Sequence, residues 1–186
     1  DGMTPRERIA TARLYLVSDL AGALEPCGCV KDQLGGMDKL GALVAAEKKT
    51  APAFATLAAG PLFFMDMELS EEKRSQEIAK AETIAAALKE LKLAAFAEGR
   101  NGFAAGADML AKLRDASGGA FVAANLKAGS VAPKKHVLVK VGDVKVGVIG
   151  VAAPDKNEKA KGSLEGVESS AAVPAVKESV EALKKE

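Results

Sequence analysis

The sequence predicts an α/β domain built around a layered sheet. Short, almost wholly apolar runs alternate with amphipathic helical stretches from residue 13 to residue 124. That alternation then gives way to a period-two hairpin and a final helix. Composition supports the same class: 186 residues, 48% hydrophobic and 27% charged, suffice to bury a core and are too apolar to remain unfolded.

Residues 13–18, Arg-Leu-Tyr-Leu-Val-Ser, form the first predicted strand. Its near-continuous apolar character is that of a strand covered on both faces. It delivers Asp19 to a loop that carries both cysteines, Cys27 and Cys29, and closes on Gly35-Gly36. A helix over 37–49 follows, with Leu40, Leu43 and Val44 in its apolar stripe, and Pro52 separates it from a second strand at 53–59.

After Gly60-Pro61-Leu62-Phe63-Phe64-Met65 comes the clearest helix, 70–92. Ser70 is its expected N-cap, Glu71 and Glu72 sit in the first turn, and Ile78, Ile84, Leu88 and Leu91 recur at helical spacing. Residues 93–97 make a third strand, 103–116 a third helix closed by Ser117-Gly118-Gly119, and 120–124 a fourth strand.

Residues 135–141 and 144–151 alternate around Gly142-Asp143, a hairpin whose second arm is expected to enter the core. The charged, aperiodic stretch 156–166 reads as a mobile surface loop. A last helix over 171–185 carries Val173, Val176, Val180 and Leu183 on one side. The expected organisation is a single domain over 1–186, whole or partial, because the alternation would next supply a strand where the sequence stops at Glu186.

Charge and composition narrow the function classes. Lys+Arg number 26 against 25 Asp+Glu, so the formal charge of +1 lacks the basic excess that nucleic-acid binding requires. Aromatic residues are 4% with no Trp, which provides no platform for stacking bases. No apolar run approaches the ~18–20 residues of a membrane span. Residues 1–8 lack the apolar stretch of a signal peptide and there is no initiating Met, so a mature exported protein fits as well as a cytoplasmic one.

A strand ending in an acidic residue and a glycine-containing loop is where α/β folds place their sites. Asp19 is either a metal ligand or the polar end of a strand that caps its loop through an Asx-type hydrogen bond. Cys27-Gly28-Cys29 has neither haem-attachment spacing nor a second cysteine pair for a four-thiolate zinc site. It remains a structural loop, a strained and reducible disulfide or redox pair, or a soft-metal site together with Asp19 and Glu25. Phe63-Phe64-Met65 is expected to pack under the long helix rather than to serve as a partner patch. His136 is expected on the surface of its strand, and Gly99-Arg100-Asn101-Gly102 is a strand-to-helix turn able to offer amides to an anion.

Residues 18–29, Ser-Asp-Leu-Ala-Gly-Ala-Leu-Glu-Pro-Cys-Gly-Cys, followed by Gln33-Leu34-Gly35-Gly36, resemble the first motif of the 5′-nucleotidase-type, calcineurin-like metallophosphoesterases. The branch they resemble has a Glu-Pro-Cys-Gly-Cys loop. Ala58-Ala59-Gly60-Pro61 stands where that family has its Gly-Asp motif, and residues 99–106 stand at its Gly-Asn-His motif. Residues 144–151 match its hairpin strand, so the likeness runs from Leu14 to Val151. It implies the N-terminal half of a four-layer αββα sandwich.

The family holds two metal ions ~3.5–4 Å apart that activate water and clamp phosphoryl oxygens. Asp19 matches its first ligand, but Ala21 stands where the paired His belongs and Pro61 where the bridging Asp belongs. Without gaps, Arg100 falls on the Asn position and Asn101 on the catalytic His; a one-residue slide makes Asn101 a ligand with no His after it. The single histidine, His136, is remote from every motif.

The resemblance therefore implies the fold and argues against the dinuclear centre. No residue is assigned to catalysis, and any cofactor would be a divalent metal with Asp19, Cys27 and Cys29 as its weak candidates. The expected function is a degenerate phosphoesterase-like binding or scaffold module. The alternatives are a phosphoester or nucleotide hydrolase completed by a missing C-terminal part or a protein partner, and a thiol redox or soft-metal module using Cys27 and Cys29. Because members of this branch are usually exported, a periplasmic or extracellular location is expected.

Overall fold

Four parallel strands in sequential order form the centre: β1 (Arg13–Ser18), β2 (Phe54–Gly60), β3 (Leu93–Glu98) and β4 (Ala120–Phe121). A computed structural model describes residues 11–26, 28, 35–48, 50, 53–153 and 166–186. Each parallel step needs a crossover, supplied by α1 (Gly36–Glu47), α2 (Arg74–Glu90) and α3 (Ala107–Ser117). The register aligns Val17 with Ala58, Ala58 with Phe96, and Phe96 with Phe121.

That row of residues faces the helices. Val17, Ala58, Phe96 and Phe121 share one buried cluster with Ile84, Ala85 and Leu88 of α2 and Leu110 and Leu113 of α3. A smaller cluster, Tyr15, Val44 and Phe54, seats α1 against the edge. The aromatic rings interlock: Phe63 meets Phe96 edge-on at 5.9 Å between centroids, and Phe96 lies 5.5 Å from Phe121. Such pairs add about 0.5–1.5 kcal/mol each beyond area burial. At the rim, Glu47 accepts from Arg13 at 2.8 Å and from the Tyr15 hydroxyl at 3.1 Å, tying α1 to β1.

The opposite face corrects the reading of β1 as a doubly covered strand. Strand side chains alternate, so Leu14 and Leu16 point away from the helices, and they are 38% and 78% exposed. An apolar run records that a strand is hydrophobic but not how many layers cover it. A shallow cavity of about 290 Å³ opens on this face, with Leu16, Leu57, Ala59 and Ala97 beneath and Val148 alongside.

Beyond β4 the chain builds two small ladders. β5 (Leu126–Ala128) pairs antiparallel with β8 (Val167–Ser169); β6 (His136–Val141) and β7 (Val144–Ile149) form the expected hairpin, with Val141 opposite Val144. β7 itself pairs only with β6, and the second arm meets the main sheet just past its end. There Ala124 N donates to Gly150 O at 2.8 Å, and a Cβ on Gly150 would lie 2.1 Å from Val122 O, so only glycine fits. α4 (Ala172–Leu183) packs on the hairpin, and Leu183 reaches Gly147. Asn125, buried, joins these parts by donating to Ala152 O and Ser170 O and accepting from Ala152 N.

Several boundaries differ from expectation for identifiable reasons. Ser70 is not the cap of α2: a turn closed by Lys73 N to Ser70 O precedes the helix, which starts at Arg74 with no side-chain cap. The helix expected over 103–116 is divided, because Gly106 at φ +92 separates a 3₁₀ turn, Arg100–Phe103, from α3. Gly118 ends α3 in the left-handed region, as expected. Strand pairing at β4 stops after Phe121, since Val122 bridges to Lys134 instead. Phe63 and Phe64 are fully buried, whereas Met65 is 65% exposed. His136 is half-buried, not superficial, with Nε2 3.2 Å from Glu186 Oε1. All but the last residue of the expected loop at 156–166 lies outside the described residues.

Because Phe96 bridges the rings of Phe63 and Phe121 with no room to collapse, Phe96→Ala is expected to destabilise the fold by about 3–5 kcal/mol. The urea midpoint against wild type measures it.

Candidate functional site

Three loops leave the carboxyl ends of β1, β2 and β3 and pack backbone to backbone. Ala21 N donates to Pro61 O at 2.9 Å and Gly22 N to Leu62 O at 3.0 Å; Gly99 N donates to Gly60 O at 3.0 Å. The approach is close enough to exclude side chains: a Cβ on Gly99 would lie 3.0 Å from Pro61 N, and one on Gly22 3.1 Å from Phe63 O. The second and third loops wall an open cleft of about 700 Å³, lined by Gly60, Pro61, Gly99, Arg100 and Asn101 together with residues 151–153. Parallel sheets place their sites at this end.

The first loop is held in an unfavourable conformation. Asp19 and Ala21 both have positive φ, 55° and 47°. Asp tolerates the left-handed region; for Ala it costs roughly 1–2 kcal/mol. Asp19 is exposed, and its backbone fastens it through the donation of its N to Ala59 O at 3.4 Å rather than through an Asx bond of its carboxylate.

The sequence-derived candidates separate in space and in role. Arg100 is exposed at the cleft. Asn101 lines the cleft, and its Nδ2 donates to Met65 O and sits 3.5 Å from Phe64 O, closing the second loop against the third. Ala21 offers a methyl group and Pro61 a pyrrolidine ring, and neither coordinates a metal. Among the described residues, no group of three or more His, Cys, Asp or Glu side chains converges to hold an ion. Cys27 and Cys29 lie outside the described residues.

Sequence reasoning missed Glu98, the last residue of β3. Its side chain is buried, 2% exposed, on the helix side of the sheet. Oε2 accepts from Leu62 N at 3.4 Å, and the amides of Gly99 and Phe63 also act on the carboxyl. Oε1 is buried with no partner. Loss of solvation pushes the carboxyl up to about 8, against the opposing pull of those amides. Gly102 exists to admit it, since a Cβ there would lie 2.6 Å from Glu98 Cδ. The available signal was an acid closing an apolar strand just before glycine, the same arrangement that drew attention to Asp19.

This architecture, a parallel sheet covered by helices on one face, recurs in solved structures. A 5′-nucleotidase precursor from Thermus thermophilus superposes with a TM-score of 0.72 over 92% of this chain, at 21% identity. The chain has the calcineurin-like phosphoesterase fold. A calcineurin-like phosphoesterase from Bacillus subtilis matches this fold with a TM-score of 0.70 at 20% identity, and the NAD nucleotidase of Haemophilus influenzae with 0.66 at 17%, each over 92% of the chain. This phosphoesterase-like chain spans 34% of the Thermus protein, 32% of the Haemophilus protein and 57% of the Bacillus protein. No protein-family model and no curated protein matches its sequence.

Two substitutions test the loop packing. Gly102→Ala, which drives a methyl into the Glu98 carboxyl, is expected to cost about 1–3 kcal/mol. Ala21→Gly relieves the left-handed strain and is expected to add about 1 kcal/mol. Paired chemical-denaturation curves give both signs.

Proposed function

We propose that this chain is a degenerate phosphoesterase-like module that acts by binding or as a scaffold, without a dinuclear metal centre. The observation that carries the reading is the donor chemistry of the loops. Where the likeness requires imidazole and carboxylate ligands, the chain presents the methyl group of Ala21 and the pyrrolidine ring of Pro61. Asp19 alone cannot hold two ions, which need several shared oxygen and nitrogen donors. The residues do not fit the metals, so no hydrolytic step is derived through them.

In this reading the module works outside the cytoplasm, which its resemblance to a usually exported branch supports. Among the described residues no helix is long and apolar enough to cross a membrane. A hydrolase completed by further polypeptide is the second reading, favoured by the short span of this chain relative to its structural neighbours. The thiol reading rests on Cys27 and Cys29 and is decided by counting free thiols with and without reductant.

Elemental analysis of untreated protein and hydrolysis of p-nitrophenyl phosphate with added manganese test the proposal together. The expected result is no stoichiometric manganese, iron or zinc and no turnover above buffer. Turnover that Asp19→Ala abolishes would overturn the proposal in favour of the hydrolase.

A further inference from the structure

We propose that the Glu98 carboxyl is a proton-operated clasp: while it keeps its proton it holds the 61–65 loop against the 99–103 turn, and losing that proton releases the two loops from each other. The argument begins with where the side chain sits. It leaves the end of β3, turns to the helix side beneath the cleft, and is enclosed between the amides of Leu62 and Phe63 and the bare Cα of Gly102. Both walls of that enclosure are cleft-lining segments, so whatever happens to the carboxyl is felt at Pro61, Gly99 and Asn101.

Burial disfavours a carboxylate here more than it disfavours a neutral acid. Two amides approach from the second loop and a third from Gly99 and pull the other way, but Oε1 has no partner in either form. A bare buried oxygen costs more when it carries charge than when it is neutral. The charged groups on the surrounding segments are Asp19 on the first loop, Asp66 just past the second and Arg100 on the turn. None of them contributes to the displacement of Glu98, which arises from burial and backbone amides alone. Among the described residues no cation acts on this carboxyl, so separation of the loops and entry of water are the routes by which the charge becomes solvated.

The sign follows from linkage. The carboxyl titrates higher in the folded chain, about 8, than its ordinary value of 4.5. The folded state therefore binds the proton more tightly, and its advantage is complete below pH 4.5 and lost as pH rises through 8. Within that window the folding equilibrium constant falls about tenfold per pH unit.

Carbon-13 NMR of the Glu98 carboxyl in the intact chain gives the first readout, with an expected midpoint near 8. Amide hydrogen exchange, corrected for intrinsic rates, gives the second. Protection of Leu62, Phe63 and Gly99 is expected to fall about tenfold per pH unit between 4.5 and the midpoint in wild type, to level off above it, and to stay level throughout in Glu98→Gln, which keeps the neutral shape. A midpoint in the ordinary carboxylate range would overturn the clasp, as would parallel loss of protection in both proteins. If Glu98→Gln does not fold, the carbon-13 midpoint decides alone.

Discussion

The constraint on which the carboxyl end of this molecule depends is main-chain contact between three loops. Ala21, Gly22, Pro61, Leu62, Gly60 and Gly99 meet through backbone donors and acceptors; a Cβ on Gly22 or Gly99 would crowd the neighbouring chain, and Gly60 supplies a φ of +86. Such contacts are insensitive to which side chains the loops carry. They let the same framework carry Ala21 and Pro61 in its loops without disturbing the way the loops pack.

That packing has a structural basis in the core. The sheet is held by aromatic packing of Phe63, Phe96 and Phe121 on the helix side, and the second loop contributes Phe63 and Phe64 directly to it. Pro61 and Met65 are thereby carried on a segment whose middle is anchored at full burial. Asn101 reinforces the arrangement by reaching back to the carbonyls of that segment. This wall of the cleft is therefore positioned by packing in the core.

Much of the fold was legible. The bounds of β1, the Gly142-Asp143 hairpin turn and the Gly118 stop of α3 follow from apolar runs and from turn chemistry that acts locally. β5 and β8 were not legible, because three-residue strands have no periodicity to read and their pairing spans some forty residues. The methyl group of Ala21 and the ring of Pro61 were visible as letters. What Asn101 and Glu98 do was not, since each acts on carbonyls or amides more than thirty residues away. A lone acid after Leu-Ala-Ala-Phe-Ala looks like a strand reaching solvent; only the tertiary arrangement turns it inward.

The bare flank of β1 has a practical consequence. Among the described residues no strand lies on its outer side, and Leu14 and Leu16 face solvent from a segment that has no proline or lysine to discourage pairing. Margins of this kind template recruitment of other chains, and a formal charge of +1 supplies little repulsion to oppose it. For the isolated polypeptide, colloidal behaviour in concentrated solution is therefore governed by two leucines on one ribbon rather than by the strength of its interior.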